Sequence, residues 1–252
     1  DIDKTMINQY KLIENIAYYS VAIFIATVIS VPSRAMHQIT YPITAKLMTE
    51  GKYDELNVLY KKTSITLQII GGLVLVGILV NINQLYLLLP KNYSGGIFVV
   101  FTIGISKYFD LILGNNNAII FNSKYYKAVL FLGLLLAFLA ITLNMIFIPK
   151  YGIDGAAIAT LISITLYSIA KLLFVVVKMK LFPFTNKTLV SFGVLIVAFF
   201  AFYYWEFPFH PLPNIVLKST LVCAVYVFVN YKFKLSSDFN NVVNSILKMV
   251  RL

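Results

Sequence analysis

Apolar stretches of transmembrane length follow one another along almost the whole of this 252-residue chain. An α-helix rises about 1.5 Å per residue, so roughly 20 apolar residues cross the ~30 Å hydrocarbon layer of a membrane. The strands of a membrane barrel are about half as long and alternate apolar with polar residues, whereas segment 190–201 is almost continuously apolar. The sequence therefore predicts an all-α, polytopic membrane protein. Its seven expected transmembrane helices are 16–36, 65–89, 97–121, 128–148, 153–177, 189–205 and 215–231.

The excess of basic residues, a net charge of +11, is divided between alternate loops. Thirteen Lys and Arg residues lie in the loops on one side of the seven spans, and five lie on the other. Cytoplasmic loops of membrane proteins carry such an excess, which predicts a cytoplasmic C-terminus and an external Asp1. Because the basic residues do not gather on one segment, the distribution indicates a lipid bilayer as partner and no nucleic acid.

The start of the chain and its single cysteine narrow the possibilities further. The chain begins at Asp1 without a signal-peptide pattern, which is typical of the C-terminal part of a longer protein. Cys223 lies inside the last predicted span, so neither an internal disulfide nor a thiolate metal cluster can form. His210 has no Cys, Asp or second His near it at metal-ligand spacing. We therefore expect no cofactor and no metal site.

Four segments of the chain form a pattern that extends over nearly its whole length. Segment 144–160 reads NMIFIPKYGIDGAAIAT. Before it come YYSVA at 18–22 with PITA at 42–45, LYKKTS at 59–64, and GNNNAIIFNS at 114–123. This pattern resembles the bacterial polysaccharide flippases of the O-antigen type, within the multidrug/oligosaccharidyl-lipid/polysaccharide exporter superfamily. In segment 144–160, Gly152 and Gly155 lie where the fourth and fifth spans are expected to turn back on each other and pack closely.

The resemblance implies an intact protein of about fourteen helices in two bundles, of which this chain supplies the second. Residues 1–178 would form five spans of that bundle, and residues 179–252 two additional spans and a cytoplasmic tail. The implied function is transport of an undecaprenyl-pyrophosphate-linked oligosaccharide from the cytoplasmic to the periplasmic leaflet of the bacterial inner membrane, for surface polysaccharide biosynthesis. Other polysaccharide-assembly membrane proteins would be candidate partners.

Charged residues deep inside the spans mark the candidate substrate cavity. Lys107 and Asp110 lie near the middle of the third span, where a charge costs about 2.5–3.5 kcal/mol. At a spacing of three residues they either neutralise each other or face a water-filled cavity. Asn115 and Asn116 continue the polar character towards the cytoplasm. Arg34, after Pro32, either extends to the headgroups or binds a pyrophosphate with its guanidinium group.

Two other function classes remain open. A cation-coupled drug or metabolite exporter of the same superfamily would be expected to place acidic residues in its cavity, and Asp110 is the only acid deep inside a span. A membrane-embedded glycan-modifying enzyme would need a large external loop or a paired His and Asp, which the sequence does not offer. We therefore predict a transporter, with no catalytic residue and no enzymatic activity. Lys171 is expected to reach the cytoplasmic headgroups.

Overall fold

The computed structural model describes residues 2–10, 13–208 and 210–250, and within these ranges the chain forms helices and no strands. The all-α prediction is therefore confirmed. Six helical segments of the described chain are long and apolar enough to cross a membrane, which indicates a multi-pass membrane protein. These segments are Ile16–Thr49, Tyr53–Val80, Tyr93–Leu111, Ala128–Met179, Asn186–Tyr203 and Pro211–Lys232.

Helices are numbered in chain order, and 3₁₀ turns at Val28–Ser30 and Lys91–Gly96 lie between them. The helices are α1 (Ile2–Tyr10), α2 (Ile13–Thr27), α3 (Val31–Thr49), α4 (Tyr53–Val80), α5 (Ile82–Leu87), α6 (Ile97–Leu111), α7 (Asn116–Phe121), α8 (Ala128–Met179), α9 (Asn186–Tyr203), α10 (Pro211–Lys232) and α11 (Ser237–Val250).

The first predicted span continues through a short turn into a second long helix. The 3₁₀ turn at Val28–Ser30 joins α2 to α3, and Pro32 lies in the first turn of α3. A proline in this position breaks no helical hydrogen bond, because the first N–H groups of a helix have no partner within it. The irregular 3₁₀ turn thus lies just before Pro32. The helix then runs on to Thr49, past residue 36, where the predicted membrane span ends.

α4 lies at the centre of the described part of the molecule. Most of its 28 residues are fully or partly buried, and α3, α6, α9, α10 and α11 all pack against it. Gly72 allows close approach, because a Cβ there would lie 2.6 Å from the Tyr226 hydroxyl and 2.7 Å from Leu195 Cδ1. α9 and α10, which belong to the segment 179–252, therefore pack closely against α4, and they also contact α6 and α5 respectively.

The third predicted span is interrupted near its end, contrary to the expectation of one helix over 97–121. α6 ends at Leu111, and a turn leads into the short α7. Gly114 in this turn has a φ of +57°, and a Cβ there would lie 2.7 Å from the backbone nitrogen of Ser64. The Ser64 hydroxyl donates a hydrogen bond to the carbonyl of Ile112 at 2.6 Å. The left-handed glycine and its contact with α4 thus end α6 before the polar residues Asn115 and Asn116.

α8 is a helical hairpin rather than one straight helix. Its 52 residues would extend about 78 Å at the helical rise, far more than one membrane crossing requires. Gly152 has non-helical angles, φ 61° and ψ −131°. Residues eight positions apart in a straight helix lie about 12 Å apart. A Cβ on Gly155 would nevertheless clash with the carbonyl of Phe147, so the chain must turn back between these two residues. The predicted reversal and close packing at Gly152 and Gly155 are therefore confirmed.

The two arms of the α8 hairpin, residues 128–151 and 153–179, remain side by side to their far ends. There the rings of Tyr125 and Phe174, with centroids 5.8 Å apart, pack edge to face. Residues 128, 129 and 132 of the first arm also pack against the same buried cluster as residues 174, 175 and 179 of the second. The second arm thereby passes beside α6, whose strongest helix contact is with α8. This packing positions the candidate site.

Candidate substrate cavity

A small polar cavity of about 100 Å³ lies where α3, α6, α7 and the second arm of α8 meet. Most of its walls come from elements that the sequence predicts to be apolar membrane spans. The charged and amide side chains that line it are His37, Lys107, Asp110, Asn116, Asn117 and Lys171. The cavity therefore brings together two of the predicted charged residues, Lys107 and Asp110, with one that was expected to lie elsewhere, Lys171.

An ion pair between α6 and α8 forms one wall of this cavity. Lys171 Nζ lies 2.6 Å from Asp110 Oδ1, and it also donates a hydrogen bond to Asn117 Oδ1 at 3.2 Å. The Ser168 hydroxyl donates a further bond to Asp110 Oδ1 at 3.2 Å. The ammonium group also lies 4.4 Å from the centroid of the Tyr167 ring. The lysine is thus held by three neighbours, Asp110, Asn117 and Tyr167, and it fixes the carboxylate at the edge of the cavity.

The two members of the pair differ in exposure. The Lys171 side chain is 3% exposed, whereas the Asp110 side chain is 42% exposed. The lysine is therefore a buried structural charge, and the aspartate remains accessible from the cavity. The expectation that Lys171 reaches the cytoplasmic headgroups is wrong, because Asp110 and Asn117 hold it inside the helix bundle.

Lys107 has a different environment from Lys171. It lines the same cavity and is half-buried, but among the described residues it forms no ion pair with Asp110. The alternative in which Lys107 and Asp110 neutralise each other along α6 is therefore not observed. Two lysines and one aspartate leave the cavity with a positive excess, since the charge of Asp110 is matched by Lys171. Lys107 is then the cation available to an anionic ligand.

The two predicted asparagines have distinct roles. Asn115 is buried and does not line the cavity; its Oδ1 accepts a hydrogen bond from Thr40 at 3.1 Å, and its Nδ2 donates to Thr44. It therefore fastens α3 to the turn before α7. Asn116 lines the cavity and donates a hydrogen bond to the Tyr60 hydroxyl at 2.6 Å. Its buried Oδ1 has no hydrogen-bond partner among the described residues, so it can accept one from a ligand.

Arg34 and His37 lie one turn apart on α3, but only one of them lines the cavity. Arg34 is exposed on the surface of the described chain. His37 lines the cavity, with Nε2 3.4 Å from the carbonyl of Gly114, and its ring stacks on Tyr41 with centroids 5.2 Å apart. The structure thus places the histidine, and not the arginine, beside Lys107 and Asp110. Nothing in the sequence near His37 indicates this contact, because the turn at Gly114 is 77 residues away along the chain.

A larger cavity of about 580 Å³ adjoins the polar one and shares Asn117 with it. Its aromatic walls are Tyr41, Phe121 and Tyr167. Aromatic faces beside polar groups suit a ring that is apolar on one face and hydroxylated at its edges, as a sugar is. The two cavities together offer a cationic, amide-bearing compartment next to an aromatic one.

A third cavity, of about 290 Å³, lies between the arms of the α8 hairpin and α1. It is lined by the oxygen-bearing side chains of Asp3, Asn144, Thr160 and Ser163. Asn144 Oδ1 and Ser163 Oγ are buried and have no hydrogen-bond partner among the described residues. The Tyr19 hydroxyl donates to Asp3 Oδ2 at 2.6 Å. Carboxylate, amide and hydroxyl oxygens are the ligands that hard cations prefer, and here they share the cavity with the apolar side chains of Leu136, Ala137, Ala140 and Ile164.

The described part of this helical membrane protein therefore contains three cavities of different chemistry. The first is polar and cationic, the second is largely aromatic, and the third combines oxygen-bearing with apolar side chains. In comparisons with known proteins, no protein-family model, no curated protein and no solved structure matches this chain.

Proposed function

We propose that this chain forms the second bundle of a flippase that moves an undecaprenyl-pyrophosphate-linked oligosaccharide across the bacterial inner membrane for surface polysaccharide biosynthesis. The observation that carries the proposal is the cavity between α3, α6, α7 and α8, where Lys107, Asp110 and Lys171 lie together among apolar helices. Ionisable residues within membrane spans are costly and usually mark a substrate or ion pathway. A bundle built only for stability would have no use for an additional half-buried lysine beside a complete ion pair.

The charge and the shape of the cavities favour an anionic headgroup. Lys107 remains after Asp110 and Lys171 are matched, so the cavity attracts a phosphate more than a cation. Its volume of about 100 Å³ admits a phosphate group and no sugar. The adjoining compartment of about 580 Å³, with Tyr41 and Tyr167 in its walls, is large enough for sugar rings. We assign one phosphate of the pyrophosphate to the first compartment and the first sugars to the second.

The topology belongs to the same proposal. If both arms of the α8 hairpin cross the membrane, the six apolar segments provide seven crossings. The thirteen-to-five division of basic residues then orients the C-terminus towards the cytoplasm and Glu206 towards the periplasm. Residues 1–178 would belong to the bundle around the cavity, and residues 179–252 would add two crossings and a cytoplasmic tail.

The test is genetic complementation with cavity variants of the full-length protein. Deleting the gene is expected to abolish surface polysaccharide and to trap its lipid-linked precursor on the cytoplasmic side. Lys107→Met should reach the membrane at the normal level and restore much less polysaccharide than the exposed-lysine control Lys62→Met. A deletion strain with normal surface polysaccharide would refute the function. Full restoration by Lys107→Met would refute the cavity assignment alone.

A cation-coupled exporter is the second candidate function, and the oxygen-lined cavity inside the α8 hairpin favours it. Asp3, Asn144 and Thr160 would supply oxygen ligands to a coupling ion. An exporter of cationic compounds predicts that the deletion strain becomes sensitive to cationic dyes while its surface polysaccharide remains normal. Sodium or proton dependence of the transport assay, lost in Asp3→Asn, would assign this cavity to coupling under either function.

A further inference from the structure

The C-terminal helix α11 exposes a continuous apolar stripe. Val242, Ile246 and Met249 are 56%, 54% and 75% exposed. At about 100° per residue these three side chains fall within an arc of about 60° on the helix surface. The polar residues Asn241 and Lys248 lie outside that arc, roughly 100–120° away from Val242. α11 is therefore amphipathic, and its apolar stripe is left uncovered by the described chain.

Hydrogen bonds at the end of α10 and at the start of α11 define the turn between the two helices. α10 ends in a Schellman arrangement: Lys234 is left-handed with φ 49°, Leu235 N donates to Asn230 O at 3.3 Å, and Lys234 N donates to Tyr231 O at 3.1 Å. Ser236 then caps α11, because its hydroxyl accepts a hydrogen bond from Phe239 N at 3.3 Å. The chain thus turns sharply, and α11 does not continue α10.

The first two turns of α11 are bound to the helix bundle. The Ser236 hydroxyl lies 2.8 Å from that of Thr66 on α4, and Phe239 is 7% exposed within the main core. Asn240 Nδ2 donates to the carbonyl of Tyr231 at 3.2 Å, and the Tyr231 hydroxyl donates to Asn244 Oδ1 at 2.6 Å. These contacts hold the first part of α11 against the middle of α4 and the end of α10, so the apolar stripe has a fixed direction.

Lysines surround this junction. Lys232 is the last residue of α10, Lys234 lies in the turn before α11, and Lys187 Nζ donates to the carbonyl of Lys234 at 2.9 Å. Lys248 lies near the end of α11. α10 is apolar enough to cross a membrane and ends at Lys232, so these ammonium groups lie at the level where a span meets the headgroups. Anionic lipid headgroups attract such clusters, at about 1 kcal/mol per basic residue near the surface.

We propose that α11 lies in the plane of the membrane surface, with Val242, Ile246 and Met249 inserted among the acyl chains of anionic phospholipids. The lysines at the ends of the helix bind the phosphate groups of the same lipids. This surface follows from the amphipathic stripe, the fixed turn after a membrane-spanning helix and the lysine cluster, and it does not depend on what the protein transports. It also assigns a specific structure to residues 237–250, which the sequence indicated only as a tail.

Environment-sensitive fluorophores on single cysteines test the proposal in the full-length protein. The background is Cys223→Ala, since the only cysteine is exposed. The probe is attached at Ile246→Cys or, as the matched control on the polar side of the same helix, at Asn241→Cys. In phosphatidylcholine vesicles containing phosphatidylglycerol, the label at position 246 should emit at shorter wavelength than the label at 241. Brominated acyl chains should quench the label at 246 several-fold more strongly.

Three outcomes would overturn the proposal. Equal emission and quenching at positions 246 and 241 would mean that the stripe faces water. A blue-shifted label at 246 that brominated lipids do not quench, together with disulfide cross-linking between two copies at that position, would mean that a second chain covers the stripe. Omission of phosphatidylglycerol without any change in quenching, or an unchanged response in Lys232→Gln/Lys248→Gln, would exclude the preference for anionic lipids.

Discussion

Breaking the Asp110–Lys171 ion pair from one side is predicted to cost more stability than breaking it from the other. Removing one member of a buried ion pair costs about 3–5 kcal/mol, because the remaining charge is left without compensation. Asp110→Leu leaves a lysine whose side chain is only 3% exposed. Lys171→Met leaves a carboxylate whose side chain is 42% exposed, which water can reach. The second change should therefore cost nearer to the ~1 kcal/mol that is usual for exposed pairs.

The contacts that Lys171 keeps in Asp110→Leu determine how much stability this substitution costs. Lys171 Nζ keeps its hydrogen bond to Asn117 Oδ1 and its place 4.4 Å from the centre of the Tyr167 ring. We therefore take the lower end of the range, about 3 kcal/mol, which is roughly a hundredfold change in the ratio of folded to unfolded protein. The double variant Asp110→Leu/Lys171→Met leaves no unpaired charge. It should lie within about 1 kcal/mol of the unchanged protein or be more stable.

The measurement is reversible unfolding of the purified full-length protein in mixed micelles, followed by circular dichroism as the fraction of denaturing detergent rises. Lys62→Met, which removes an exposed lysine of α4, is the matched control and should change the free energy of unfolding by less than about 0.5 kcal/mol. The reasoning is refuted if Lys171→Met costs as much as Asp110→Leu. It is also refuted if the double variant loses as much stability as the two single changes together.

Further predictions concern the hairpin, the interrupted helix and the topology. Gly155→Val should lower the free energy of unfolding by about 2–4 kcal/mol, because the new Cβ would clash with a backbone carbonyl. The control Gly133→Ala should cost nothing measurable in the same detergent titration, because no atom lies within 4 Å of its Cβ. Gly114→Ala should lower the free energy of unfolding by at least ~1–2 kcal/mol, which is the cost of placing an alanine in the left-handed conformation. In intact cells of the Cys223→Ala background, an impermeant thiol reagent should label Glu206→Cys and leave Lys52→Cys unlabelled; labelling at position 52 would reverse the topology.

The sequence allowed the charged residues of α6 in the candidate site to be predicted, but not which of them pair. The sequence identified Lys107 and Asp110 as groups that need an explanation, since a charge inside a membrane span is costly in any fold. It could not choose the partner of Asp110, because Lys107 is three residues away and Lys171 is 61 residues away along the chain. A second deep lysine in another span was the available signal, and it was assigned to the membrane boundary instead. The packing of α6 against the second arm of α8 decides the pair.

The local structure, in contrast, was largely present in the sequence. Helices follow from the apolar stretches because backbone groups in lipid must bond within their own segment, and the reversal at Gly152 follows from a residue that alone tolerates its angles. These are short-range constraints. The end of α6 at Leu111 is different, because it depends on the contact of Gly114 with Ser64, 50 residues earlier on α4. The sequence therefore determined that the chain is helical and where its hairpin turns. Only the tertiary structure decided which polar residues meet, because meeting requires close contact between helices that are distant along the chain.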